Sequence, residues 1–149
     1  MPRLAEMITP ERIVELRETS KEDVLEEMVD VLSTAHEVHD RDAFLQAIND
    51  RESILSTGIG LGIAVPHAKI ASVDDLVAAL GKTKKGIDYG ALDDQPVRIV
   101  VMIAAGESQQ SDYIRALARV TLLLKNEEVR RSIIEADGPE EIYEIVKQY

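Results

Sequence analysis

The sequence predicts an α/β fold in a single domain, with a mostly buried sheet of about five strands flanked by helices on both faces. Three observations carry that expectation. The stretches 76–82 (LVAALGK) and 97–105 (VRIVVMIAA) are continuous apolar runs rather than alternating ones, which is how strands read when both faces are covered. Segments with apolar residues at helical spacing lie on either side of these runs, most of them behind a capping residue. A chain of 149 residues, 45% hydrophobic and 30% charged, without repeats or linkers, is long enough to bury one substantial core.

Taken in order, Arg12 to Leu16 reads as a short strand. SKEDVLEEMVDVLSTA then carries a helix, with Ser20 as cap and Val24, Leu25, Met28, Val29 and Leu32 at helical spacing. A second helix fits DRDAFLQAINDRES, capped by Asp40, with Phe44, Ala47 and Ile48 on one side. The glycine-rich stretch TGIGLGIAVPH follows and contains a strand ending near Val65. Between the two apolar runs, KKGIDYGALDDQP is expected to be a turn-rich connection. Three helices close the chain. The first runs from about Asp112 to Lys125 with Ile114, Leu117, Thr121 and Leu124 inward, and the second is capped by Asn126 with Val129 and Ile133 inward. The last begins at Pro139 after Gly138, with Ile142, Ile145, Val146 and Tyr149 repeating.

Composition removes several functions. A net charge of −11 lacks the basic footprint of a nucleic-acid-binding surface; it suits a protein that meets basic patches on partners, and solubility alone explains it equally well. Without cysteine there are no disulfides, thiolate nucleophiles or zinc-thiolate sites. The N-terminus has no apolar signal core, and the longest apolar run, Ile99 to Ala105, is too short for a membrane span. A cytoplasmic location is therefore expected. The aromatics are Phe44, Tyr89, Tyr113, Tyr143 and Tyr149, too few to support recognition by stacking.

The glycine stretch is not a nucleotide motif. A phosphate-binding loop needs Lys-Ser/Thr after its last glycine and a helix beyond, whereas Gly62 is followed by Ile63-Ala64-Val65-Pro66. A dinucleotide fingerprint needs a strand before and a helix after, and this chain has the reverse. The glycines instead act on backbone shape, giving a bent entry into an extended segment that projects Ile63, Val65 and His67 to one side. With Ile63 and Val65 facing the core, His67 stands at the rim, partly desolvated and reachable.

Of the three histidines, His36 and His39 lie in a polar link and read as solvated loop residues, with no spacing that suggests a metal site. A histidine after proline is commonly structural, but the local constraint around His67 implies that its ring orientation matters. No serine or cysteine nucleophile is signalled nearby, and histidine can itself be the nucleophile. Attack on a phosphoryl group asks only for in-line positioning and a cation near the equatorial oxygens. Arg51 is the nearest cation upstream; a solvated arginine at a helix end fits it equally well.

RESILSTGIGLGIAVPHAKI (51–70) resembles the signature of the enzyme IIA domains of the fructose/mannitol type, including the nitrogen-regulatory IIA proteins, of the bacterial phosphoenolpyruvate-dependent phosphotransferase system. SKEDVLEEMVDVL, GIDYGALDDQPVRIVVMIAA and YIRALARVTLLL resemble further parts of that family, so the likeness covers nearly all of residues 1–149. It implies a mixed sheet flanked by helices. It also implies that His67 accepts a phosphoryl group from the phosphohistidine of a small carrier, HPr or its nitrogen-branch counterpart. His67 would then pass the group to a IIB partner or signal by its phosphorylation state to a transporter or kinase. Arg51 matches the family arginine near the active histidine, and Thr57, Gly58, Gly60 and Gly62 belong to the surrounding loop, whose amides would hold phosphoryl oxygens. No metal or cofactor is implied.

One position departs from the family pattern. A second histidine usually opens the late helix, and here Tyr113 takes its place. Tyrosine donates a hydrogen bond but carries no positive charge near neutral pH. Arg115 and Arg119 are candidate substitutes for that charge, though their spacing also fits a solvated face. The departure favours a regulatory module over full sugar-pathway transfer. A carrier that never takes phosphate and only binds a small anion is the third reading.

Overall fold

The computed structural model describes residues 3–149 of the chain, from the short helix α1 (Leu4–Met7) to α6 (Pro139–Val146). Helices begin where side chains satisfy their first amides. Ser20 accepts from Asp23 N and opens α2 (Lys21–Leu32), Asp40 accepts from Ala43 N and opens α3 (Arg41–Ile54), and Asn126 accepts from Val129 N and opens α5 (Glu127–Glu135). Pro139 sits in the first turn of α6 behind Gly138, where its missing N–H costs nothing.

The strands are β1 (Ile13–Glu15), β2 (Gly58–Gly60), β3 (Ile63–Ala64), β4 (His67–Lys69), β5 (Val77–Ile87) and β6 (Val97–Ala105). They form one mixed sheet in the order β1-β5-β6-β3-β2, with β4 continuing the edge of β6 beyond β3. β1 runs parallel to β5, β5 antiparallel to β6, and both β3 and β4 parallel to β6. There are six strands rather than about five because Pro66 divides one extended segment. Val65 N bonds to Thr57 O, and pairing with β6 resumes at His67. β5 also outlasts its expected end at residue 82. It continues through Lys84-Lys85-Gly86 with a register shift against β6, made possible by the left-handed φ of +81° at Gly86.

Both faces of the sheet are covered, as the continuous apolar runs require. Ile63, Val65, Ala78, Leu80, Ile99, Val101 and Ile103 face α1, α5, α6 and α4 (Gln110–Leu124). Ala64, Val77, Ala79, Val100, Met102 and Ala104 face α2 and α3. α4 is rotated from the orientation that periodicity suggests. Ala116, Val120, Leu123 and Leu124 are buried, Leu117 and Thr121 are half-buried, and Ile114 is exposed. Two apolar stripes overlap on this helix, and the one that contains the small Ala116 faces the sheet. In α6, Ile142 and Val146 are buried, whereas Tyr149 lies past the helix end and is exposed. Among the described residues, no helix is long and apolar enough to cross a membrane.

Candidate functional site

The glycine stretch folds as a hairpin of β2 and β3 around a turn at Gly60, Leu61 and Gly62, which all have positive φ (100°, 61° and 77°). Two of those positions are glycine, which takes this conformation without strain, and the third, Leu61, gives its N–H to Asp93 Oδ2 at 3.0 Å. Gly58 is needed for a different reason. A Cβ there would meet Ala91 and Tyr89 atoms at 2.9 Å, so its lack of a side chain lets the β5–β6 connection close over the hairpin. That connection is anchored by Leu92 N donating to Gly58 O at 2.8 Å.

Three backbone amides of the hairpin and its approach are engaged by protein acceptors. Thr57 N donates to Glu52 Oε1, Gly58 N to Ser56 Oγ and Leu61 N to Asp93. Glu52 of α3, Ser56 and Asp93 of the β5–β6 connection thus tie down the hairpin that precedes His67.

That segment carries His67, the first residue of β4, paired with Ile103 and half-buried. Its Nδ1 lies 2.7 Å from the Val65 carbonyl oxygen. A carbonyl only accepts, so Nδ1 bears the proton of the neutral ring and Nε2 bears the lone pair. Among the described residues, Nε2 has no hydrogen-bond partner. Burial holds the imidazole below its ordinary value of 6.5, opposed by the Val65 bond, with Arg51 lowering it further and Glu52 raising it. The ring is therefore mainly neutral at pH 7, the form a nucleophile requires.

Tyr113, in the first turn of α4, packs its ring against His67 edge to face, with centroids 5.7 Å apart. Burial pushes its hydroxyl up to about 12, so it remains a donor across the physiological range. Arg51 lies in the last turn of α3, half-buried, with Nη1 donating to Leu55 O at 2.8 Å. Its charge acts on both His67 and Tyr113, which puts the guanidinium within electrostatic reach of both rings. Arg115 is exposed and faces Asp112 at 3.8 Å, and Arg119 is also exposed. His36 lies beside Glu37, and His39 bonds to Asp74 across two loops rather than standing free in solvent.

Beneath the hairpin lies a polar cluster that sequence reading missed. Glu52, its side chain only 6% exposed, forms an ion pair with Lys21 Nζ at 3.1 Å and accepts from Thr57 N at 2.8 Å and from the Thr57 hydroxyl at 2.7 Å. The buried Tyr89 hydroxyl lies 3.0 Å from Thr57 Oγ1, and Lys21 Nζ stands 4.5 Å over the Tyr89 ring. One signal was available. A carboxylate in the last turn of a helix opposes the helix dipole, so Glu52 needs partners from elsewhere in the chain.

An open mixed sheet with helices on both faces and a half-buried histidine at the edge of its central strand defines the class, a IIA-type α/β domain. The nitrogen regulatory protein IIA-Ntr of Neisseria meningitidis shares this fold with a TM-score of 0.89, over 95% of this chain and 97% of that one at 23% identity. Residues 6–149 match the model of the phosphoenolpyruvate-dependent sugar phosphotransferase system EIIA 2 family, and the chain belongs to that family. It is 43% identical over 148 residues to the fructose-specific EIIABC component of Bacillus subtilis, a match to 99% of this chain and 23% of that protein. It is also 33% identical over 143 residues to the fructose-specific EIIA component of Haloferax volcanii, 95% of this chain and 93% of that one.

Proposed function

We propose that the chain is a phosphocarrier whose His67 Nε2 accepts a phosphoryl group from the phosphohistidine of a small carrier protein and hands it to a IIB partner. The observation that carries this reading is the half-buried ring, with Nδ1 tied to Val65 and Nε2 unpartnered. In the step itself, the Nε2 lone pair forms a bond to phosphorus as the donor nitrogen–phosphorus bond breaks on the opposite side. The pair returns to the donor imidazole, and no proton has to move. Arg51 offsets charge on the equatorial oxygens, and Tyr113 supplies a neutral donor.

A protein donor suits the surroundings. Ile54 and Leu55 follow Arg51, Ile114 follows Tyr113, and Leu92 is bonded to Gly58; all four side chains are exposed. Apolar surface beside a reactive imidazole fits docking of another protein better than capture of a free sugar. Identity to two fructose-specific proteins supports the sugar branch. A regulatory role, in which phosphorylation sets affinity for a transporter or kinase, is favoured by Tyr113 in place of the usual second histidine.

The test is incubation with enzyme I, carrier protein and labelled phosphoenolpyruvate. Wild type is expected to gain an acid-labile, base-stable phosphate that His67→Ala lacks. Equal labelling of both proteins contradicts the reading. Onward transfer to an added IIB domain separates a carrier from a signalling module.

A further inference from the structure

The hydrogen bonds below the hairpin form an unbroken path to the imidazole. The Thr57 hydroxyl donates to Glu52, so the Tyr89 hydroxyl must donate to Thr57 Oγ1, and Thr57 is fixed through both its side chain and its amide. The Thr57 carbonyl accepts from Val65 N at 3.0 Å. The Val65 carbonyl then holds His67 Nδ1. Every link but the last fixes the backbone between Thr57 and Val65, and the last selects the tautomer.

We propose that Glu52 is a positioning residue for His67, acting through Thr57 and the Val65 carbonyl to keep the proton on Nδ1 and the lone pair on Nε2. The inference rests on the reading of His67 as phosphoryl acceptor. Glu52 does not touch the reacting atoms. Its carboxylate sits under the loop, saturated by Lys21 and Thr57, so it acts as a two-point acceptor that sets where Val65 places its oxygen.

This mode of action separates hydrogen bonding from charge. Glu52→Gln retains an oxygen for Thr57 N–H, and its amide can donate to Thr57 Oγ1, whose own proton then turns to Tyr89. Glu52→Ala removes both contacts. A carboxylate that acted by charge alone would be silenced equally by either substitution.

The experiment is nitrogen-15 NMR of the labelled imidazole in the free protein above its titration range, which needs no phosphoryl donor. Wild type and Glu52→Gln are expected to show predominantly the Nδ1–H form, and Glu52→Ala a mixture with Nε2–H. Phosphoryl acceptance by Glu52→Ala should fall about 10- to 100-fold in kcat, by analogy with the loss of a partner that orients a metal-ligating histidine, with KM for the carrier unchanged. Thr57→Val breaks the same path at its middle while keeping the volume, and should shift the tautomer ratio in the same direction. A wild-type ratio in Glu52→Ala and in Thr57→Val overturns the proposal, whatever happens to the rate. Labelling that survives His67→Ala would instead sink the acceptor reading, and the tautomer measurement tells these two failures apart.

Discussion

Glu52 and Lys82 are both charged side chains carried out of water, one under the hairpin at the end of α3 and the other in the middle of β5. Each is stabilised in the way a buried charge must be, by several short polar contacts. Their partners differ. Glu52 bonds to Thr57, and from there the path runs to the ring of His67. Lys82 Nζ donates to the carbonyls of Ile134 and Ala136, in the last turn of α5 and at its C-cap, where a positive charge also complements the helix dipole. Burial of a charge therefore does not mark function here; the destination of its hydrogen bonds does. On the proposed reading one network aims a nucleophile, and the other staples α5 to the sheet.

The largest effect is expected at Arg51. Arg51→Ala should slow phosphoryl acceptance on the order of 100-fold, the usual cost of removing one donor that meets developing oxyanion charge. It should also move the pH profile. Arg51 lowers the His67 pKa, so its removal raises that pKa and shifts the acid limb of the rate to higher pH. Wild type should stay level above the ordinary histidine value of 6.5 and decline only below it. An unchanged acid limb in rates measured from pH 5 to 8.5 would remove Arg51 from the site.

At Lys82 the expectation is reversed, with stability lost and chemistry kept. Lys82→Met fits the apolar surroundings but leaves the Ile134 and Ala136 carbonyls without their donor, at a cost of about 1–3 kcal/mol. Denaturant unfolding measures that loss, while the labelling rate of the folded variant should match wild type. A large fall in rate at full folding would dissolve the distinction between the two networks.

Tyr113→Phe makes the smallest change. It keeps the ring edge against His67 and deletes the hydroxyl, so acceptance should drop about three- to tenfold, as for one neutral hydrogen bond. No change at all would leave Tyr113 a packing residue alone.

Local signals made much of this architecture readable. Ser20, Asp40 and Asn126 announce three helices because a capping oxygen is a short-range requirement. The runs at β5 and β6 announce a sheet covered on both faces. What escaped depends on contacts between distant segments. The extension of β5 to Ile87 needs β6 as partner, and the rotation of α4 turns on which of two overlapping stripes meets the sheet. The site shows the same division. His67, Arg51 and the glycines stand in one contiguous stretch, whereas Glu52 and Thr57 of that stretch meet Lys21 and Tyr89 only once α2 and the β5–β6 connection have packed against it. The glycines themselves were legible as bend formers, but the engagement of neighbouring amides by Glu52, Ser56 and Asp93 was not.

On the proposed reading, the second nitrogen of one fixed imidazole meets the phosphorus. Phosphorus-31 and nitrogen-15 NMR of the phosphorylated protein reads that bond directly. The expected result is a nitrogen–phosphorus coupling at Nε2 of His67, with the proton still on Nδ1 toward Val65. Phosphorus on Nδ1, or on any other residue, contradicts it.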